Sequence, residues 1–146
     1  MNNHMTSNEA ILVMFFSMLI SGLFTGMNVF ANKIGDVRLN INDFYMGSIM
    51  SGVMYLIMGI YYLNNKLLLL GLLITTIAFI LIRNQIFVNK NAYLNSMIPH
   101  HSMAIMITNR LIEKNEKVPA EMAKLLKNII VTQQQEIDLM KKLLNE

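Results

Sequence analysis

The sequence predicts an all-α protein: three transmembrane helices followed by a two-helix hairpin of the bundle type. Three observations predict it. Charged residues make up 14% of the chain, against roughly 25% in an average soluble domain, while 54% are hydrophobic. The charge is also unevenly placed. Between Ala10 and Ile82 there are only Lys33, Asp36, Arg38, Asp43 and Lys66, whereas Arg83 to Glu146 holds fifteen charged side chains. In that second part, apolar residues recur at the three- and four-residue spacing of a helix. The chain thus divides into a membrane region, residues 1–88, and a water-facing hairpin, residues 92–146. Its 146 residues suit one domain of ordinary size.

Ala10 to Phe30 is an uncharged run of 21 residues, enough for a helix to cross the ~30 Å hydrocarbon core. A signal peptide would need a positive leading region and a shorter apolar run. Gly22-x-x-x-Gly26, with Ser17, Ser21 and Thr25 at four-residue spacing, lets a second helix approach closely. That partner is either the second span or another subunit. Ala31 to Asp43 is a polar loop, and Phe44 to Leu63 is the second span. It carries Met46, Met50, Met54 and Met58 as one slowly drifting stripe, and Ser48 and Gly52 as a small-residue pair. The stripe has two readings: flexible apolar packing, or a thioether ladder for Cu(I) or Ag(I), since soft sulfur selects soft ions. Asn64-Asn65-Lys66 is a tight turn. The third span begins at Leu67, reaches Ile82, and extends to about residue 86 if Ile86 is counted. Basic residues near the spans vote on orientation. One side receives Lys66, the other Lys33, Arg38, Arg83 and Lys90, which places the hairpin in the cytoplasm.

Asn89 to Asn95 is read as a polar linker. The first hairpin helix is expected from Asn95 or Ser96 to about Lys114, with Pro99 in its first turn. Asn115 to Val118 is the turn, and Pro119 opens a helix running almost to Glu146. The first helix should bury Met97, His101, Ala104, Ile105, Thr108 and Leu111 or Ile112. The second should bury Met122, Leu126, Ile129, Gln133, Ile137, Met140 and Leu144. Two apolar helices alone make a thin bundle, so the hairpin is expected to form a homo-oligomer.

The stretch Met97-Ile98-Pro99-His100-His101-Ser102-Met103-Ala104-Ile105-Met106 concentrates the chemistry, with two of the three histidines of the chain. There is no cysteine, so a soft-metal site must use methionine sulfur and histidine nitrogen. His101 and Gln133 are polar residues in apolar stripes. A hairpin turning near Glu116 places both histidines opposite Val131 to Gln133, and Met97 opposite Gln135 or Glu136. A buried imidazole without a partner costs on the order of 1–3 kcal/mol, so this cluster bonds internally, to water or to a metal. A first-turn position disfavours the imidazolium, leaving neutral histidines suited to ligation. Other chemistry lacks its residues. No Glu-x-x-His pair of a di-iron bundle, His-Glu-x-x-His or Gly-rich phosphate loop occurs. The pI near 9.2 with dispersed lysines does not indicate a nucleic-acid partner. No enzyme is expected.

Met97-Ile98-Pro99-His100-His101, then Ala104-Ile105, and later Gln133-x-x-Glu136-Ile137-x-x-Met140 resemble the signature of domain-of-unknown-function family 305, over roughly Tyr93 to Leu144. The front end, including Phe44-Tyr45-Met46, resembles a membrane-attached branch of that family with three N-terminal spans. The resemblance implies a ferritin-like helical bundle. It also implies Cu(I) as a ligand, in copper sequestration or tolerance. Metal ligands carried over to this chain are Met97, His100, His101 and Met140, with Gln133 and Glu136 as neighbours; Met103 joins the candidate ligands as a nearby methionine, although it and Met106 project in different directions. One position departs: soluble members tend to carry a methionine seven residues after the first histidine, where this chain has Ile107. Copper-handling relatives work outside the cytoplasm, against the vote of the basic residues. The alternative to metal binding is a non-catalytic structural membrane protein whose hairpin mediates oligomerisation.

Overall fold

The computed structural model describes residues 7–24, 26–114 and 117–145. It is 83% helical and has no strands among them. The helices are α1 (Ser7–Phe24), α2 (Ile41–Tyr61), α3 (Asn65–Arg83), α4 (Lys90–Glu113) and α5 (Ala120–Leu143), with 3₁₀ turns at Met27–Phe30 and Ile34–Asp36. The chain forms two compact units: α1, α2 and α3, and separately residues 26–40 with α4 and α5. Asn115 and Glu116 of the expected turn, Thr25 of the small-residue series and residues 1–6 of the N-terminal tail lie outside the described residues.

In the first unit α2 packs against both α1 and α3. Three stretches are long and apolar enough to cross a membrane: Asn8–Phe30, Ile41–Tyr61 and Asn65–Arg83. Their outward side chains, such as Phe16, Ile57, Leu69 and Phe79, are exposed and apolar. Burial cannot distinguish protein from lipid for such surfaces, so close packing has to hold the helices together. Glycines allow it. A Cβ at Gly22 would stand 2.2 Å from the Cα of Gly47, and one at Gly71 would stand 2.7 Å from the oxygen of Gly52. The partner of α1 is therefore the second span. Gly26, the other half of the predicted motif, lies beyond the helix at the start of the 3₁₀ turn. Of the methionine stripe, Met46 is exposed, Met58 is buried, and the sulfur of Met50 lies beside Gly22. At the far end Asn64 caps α3, its Oδ1 accepting from the amides of Lys66 and Leu67 at 3.0 and 3.3 Å. Leu63 adopts the left-handed conformation just before it, at φ 50°.

The third helix stops at Arg83, short of the expected extension to residue 86. Two side-chain amides take over its last carbonyls: Asn84 Nδ2 donates to Ile80 O at 2.8 Å, and Gln85 Nε2 to Ile82 O at 2.6 Å.

In the second unit, α4 starts at Lys90 rather than Asn95. Asn89 is its cap and accepts from the amide of Ala92 at 2.9 Å. The expected polar linker is thus mostly helix, and Pro99 stands well inside α4. There the carbonyl of Asn95 faces a ring with no N–H. The histidines accordingly lie in mid-helix, and the argument for neutral imidazoles from a helix N-terminus does not apply. Ile98, Ile105, Ile137 and Met140 form the core, flanked by Leu94, Met97, Ile130 and Leu144. The buried arc of α4 runs through Ile98, Pro99, Ser102, Ile105 and Thr108; Ile105 and Thr108 are buried as expected, while Met97, His101 and Ala104 are only half-buried. Of Leu111 and Ile112, one of which was expected to be buried, Leu111 is half-buried and Ile112 exposed; Met122, expected to be buried, is exposed.

Candidate functional site

The segment that bonds to Ser102 of the buried arc is the link between α1 and α2. Residues 26–40 fold onto α4 and fix themselves with their own polar groups. The side chain of Asn28 closes the base of the link, donating to Arg38 O and accepting from Arg38 N, both at 2.9 Å. The 3₁₀ turn Ile34–Asp36 then delivers Asp36, 1% exposed, to the flank of the hairpin. Ser102 Oγ donates to Asp36 Oδ2 at 2.7 Å, and Lys141 Nζ donates to Asp36 Oδ1 at 2.6 Å. Ser102 Oγ also accepts from the amide of Asn32 at 2.8 Å. On the rim, Lys33 Nζ reaches Gln134 Oε1 at 3.0 Å. One carboxylate therefore clasps the link, α4 and α5 together.

Burial pushes the Asp36 carboxyl up. The hydrogen bonds from Lys141 and Ser102, with the positive charges of Lys141 and Lys33, outweigh it and hold the group below its ordinary value of 3.8. The clasp is therefore ionic at neutral pH. Ser102 is fully buried and has its hydrogen and a lone pair engaged, so it is a structural hydroxyl and not a nucleophile.

The predicted site residues occupy the other flank. His101 Nδ1 lies 2.9 Å from Glu136 Oε2, with the imidazole 16% exposed. The approach misses hydrogen-bond geometry, and Nδ1 is a buried nitrogen without a hydrogen-bond partner. Expected levels placed His101 opposite Val131 to Gln133. The facing residue is instead Glu136, three residues further along α5. Met140 belongs to the apolar core, and Met97 packs against that core. Gln133 is half-buried on the same face of α5 as Met140, seven residues on. His100 is exposed, its ring centroid 6.0 Å from that of His101 at 77°. Met103 is half-buried, but six residues from Met97 set it well round the helix. The structure thus assembles Met97, His101, Glu136 and Met140 on one flank and leaves His100 and Met103 at its margin. Among the described residues no three of His, Asp and Glu converge.

The family described as a domain of unknown function (DUF305) matches residues 87–144. The uncharacterized protein L153 of Acanthamoeba polyphaga mimivirus is 37% identical over 145 residues, covering 96% of this chain and 94% of its own. The chain belongs to the DUF305 family. No solved structure matches. The DUF305 segment takes in α4 and α5, hence Ser102, Lys141 and the whole His–Met flank. It does not include Asp36, whereas the match to the mimivirus protein spans nearly the whole chain.

Sequence reasoning missed Asp36, Ser102 and Lys141. Asp36 did stand out as one of five charges in a long apolar stretch. Its partners, 66 and 105 residues away, left no local pattern to read.

Proposed function

We propose that this chain is a membrane-attached protein that holds a soft monovalent ion, Cu(I) or Ag(I), on the His–Met flank of its hairpin. It sequesters or hands on the ion and catalyses no reaction. The observation that carries this reading is the mostly buried imidazole of His101, its Nδ1 held 2.9 Å from Glu136 Oε2, on a hairpin whose apolar core contains Met140 and packs against Met97. Nitrogen and sulfur together suit Cu(I) better than any hard cation. Met97, His101 and Met140 would hold the ion, His100 and Met103 would serve at the entrance, and Gln133 and Glu136 would orient the imidazole. Three apolar helices would anchor the hairpin at a bilayer.

The test is titration of the detergent-solubilised protein with Ag(I), followed by calorimetry and by the histidine ring resonances. Tight binding lost in His101→Ala, with circular dichroism unchanged, supports the reading. Binding unaffected by His101→Ala and by Met97→Leu/Met140→Leu refutes it.

A second reading has its own observation. Leu125, Leu139 and Leu143 on α5, with Ile107 on α4, are exposed apolar residues on a two-helix unit. A second copy of the hairpin would cover them, giving a structural homo-oligomer. Sedimentation of the solubilised chain separates the two readings, since metal affinity need not depend on association.

A further inference from the structure

We infer that the 26–40 link is a membrane-interface anchor: its inner groups clasp the hairpin and its outer side chains enter the headgroup layer of a lipid bilayer. The inference rests on the membrane-spanning reading of α1 and α2 and is independent of metal binding. The inner groups are the amide of Asn32 and the carboxylate of Asp36, both bonded to Ser102. Between and around them the link displays Met27, Val29, Phe30, Ile34, Val37 and Leu39, all exposed. Ile34 projects furthest, at 92% exposure, from the same 3₁₀ turn whose Asp36 is buried. Six exposed apolar residues in so short a link are unfavourable in water, at about 25 cal/mol for each Å² left wet.

Chain continuity identifies what covers them. The link follows α1 directly and enters α2 at Ile41, and the apolar run of the first span continues through Phe30. A link tied at both ends to spanning helices lies at the bilayer surface. Lys33 and Arg38 flank Ile34 and carry the charge that phosphate headgroups attract. The Arg38 guanidinium also donates to the oxygens of Gly35 and Val37, at 2.9 and 3.0 Å, so the basic group sits on the turn that presents Ile34. A bilayer is the partner that offers apolar depth and phosphate together.

The absence of cysteine makes a direct test simple. Nitroxide labels would be placed through Ile34→Cys, Phe16→Cys and Lys124→Cys in the full chain, reconstituted into phosphatidylglycerol-containing nanodiscs. Collision with dissolved oxygen, relative to a water-soluble nickel complex, reads the depth. The expected ratio at position 34 is several-fold above that at position 124 and below that at position 16. A ratio at position 34 equal to that at position 124 means an aqueous loop and overturns the inference. Protection from both agents means cover by protein, such as a second copy, and overturns it equally. If position 16 also reads as aqueous, the membrane-spanning reading has failed and the inference falls with it.

Discussion

The two units of this protein solve the same problem, holding helices together, by opposite means. Among α1, α2 and α3 the contact is made by what is missing: at Gly22 and Gly47, and at Gly52 and Gly71, backbones touch because no side chain intervenes. In the α4–α5 unit large apolar side chains fill the space, and a buried carboxylate with two donors fixes the outer segment. The difference is the one expected if α1, α2 and α3, read as spanning a bilayer from their length and apolar composition, pack in lipid while the hairpin packs in water. In lipid, burying leucine gains little, so packing relies on close approach. In water, apolar burial drives assembly, and a buried ion pair adds specificity of placement more than net stability.

That contrast can be broken from either side, and the largest effect is expected in the first unit. Gly22→Leu must displace the backbone of Gly47, and α1 should part from α2 with a loss of about 3 kcal/mol or more. Unfolding in mixed micelles would show it, while hydrogen exchange in α4 and α5 stays unchanged. Lys141→Met leaves Asp36 buried without its cation and should cost about 2–3 kcal/mol, discounted because the lysine is partly exposed. Faster exchange at the amides of Asn32 and Asp36 is the readout, and Asp36→Asn in the same chain should restore much of the loss.

The same carboxylate sets a pH window. Its folded value lies below the ordinary 3.8, so its contribution is present above that pH and fades as acid protonates the folded form. Stability of the second unit should therefore hold through mild acid and fall below pH 3.8, a fall that Asp36→Asn flattens. On the opposite flank, His101→Ala should abolish tight Ag(I) binding by removing the nitrogen ligand, and Met103→Leu should change it little. The smallest effect concerns Leu63, which is exposed and left-handed. Leu63→Gly removes that strain and should raise the melting midpoint modestly, by about 0.5–1 kcal/mol in stability.

The sequence made the five helices legible because hydropathy and periodicity are local properties. The ends were less so. The cap at Asn89 lies in a run whose Asn and Lys residues resemble a linker, and only the hydrogen bond to Ala92 shows that it opens a helix. Gly22 was recognisable as a contact residue, but its partner Gly47 was not, since crossing geometry is not encoded in spacing along one helix. In the hairpin, pattern and family resemblance singled out Met97, His101, Glu136 and Met140, but the pairing of His101 with Glu136 was not legible, since helix register is set by contacts between the two helices. Asp36 escaped because its surroundings are assembled from three distant segments.

The clasp also has a consequence in time. Lys141 is synthesised 105 residues after Asp36. Two further apolar helices and nearly all of the hairpin must be made before this carboxylate acquires its cation. Until then the link has a half-made attachment, and α4 can offer only Ser102. A chain that stops short of residue 141 would carry α1 to α4 and both hairpin histidines, yet would hold the link only through Ser102 and the Lys33–Gln134 bond. Completion of α5 is thereby built into the lock itself.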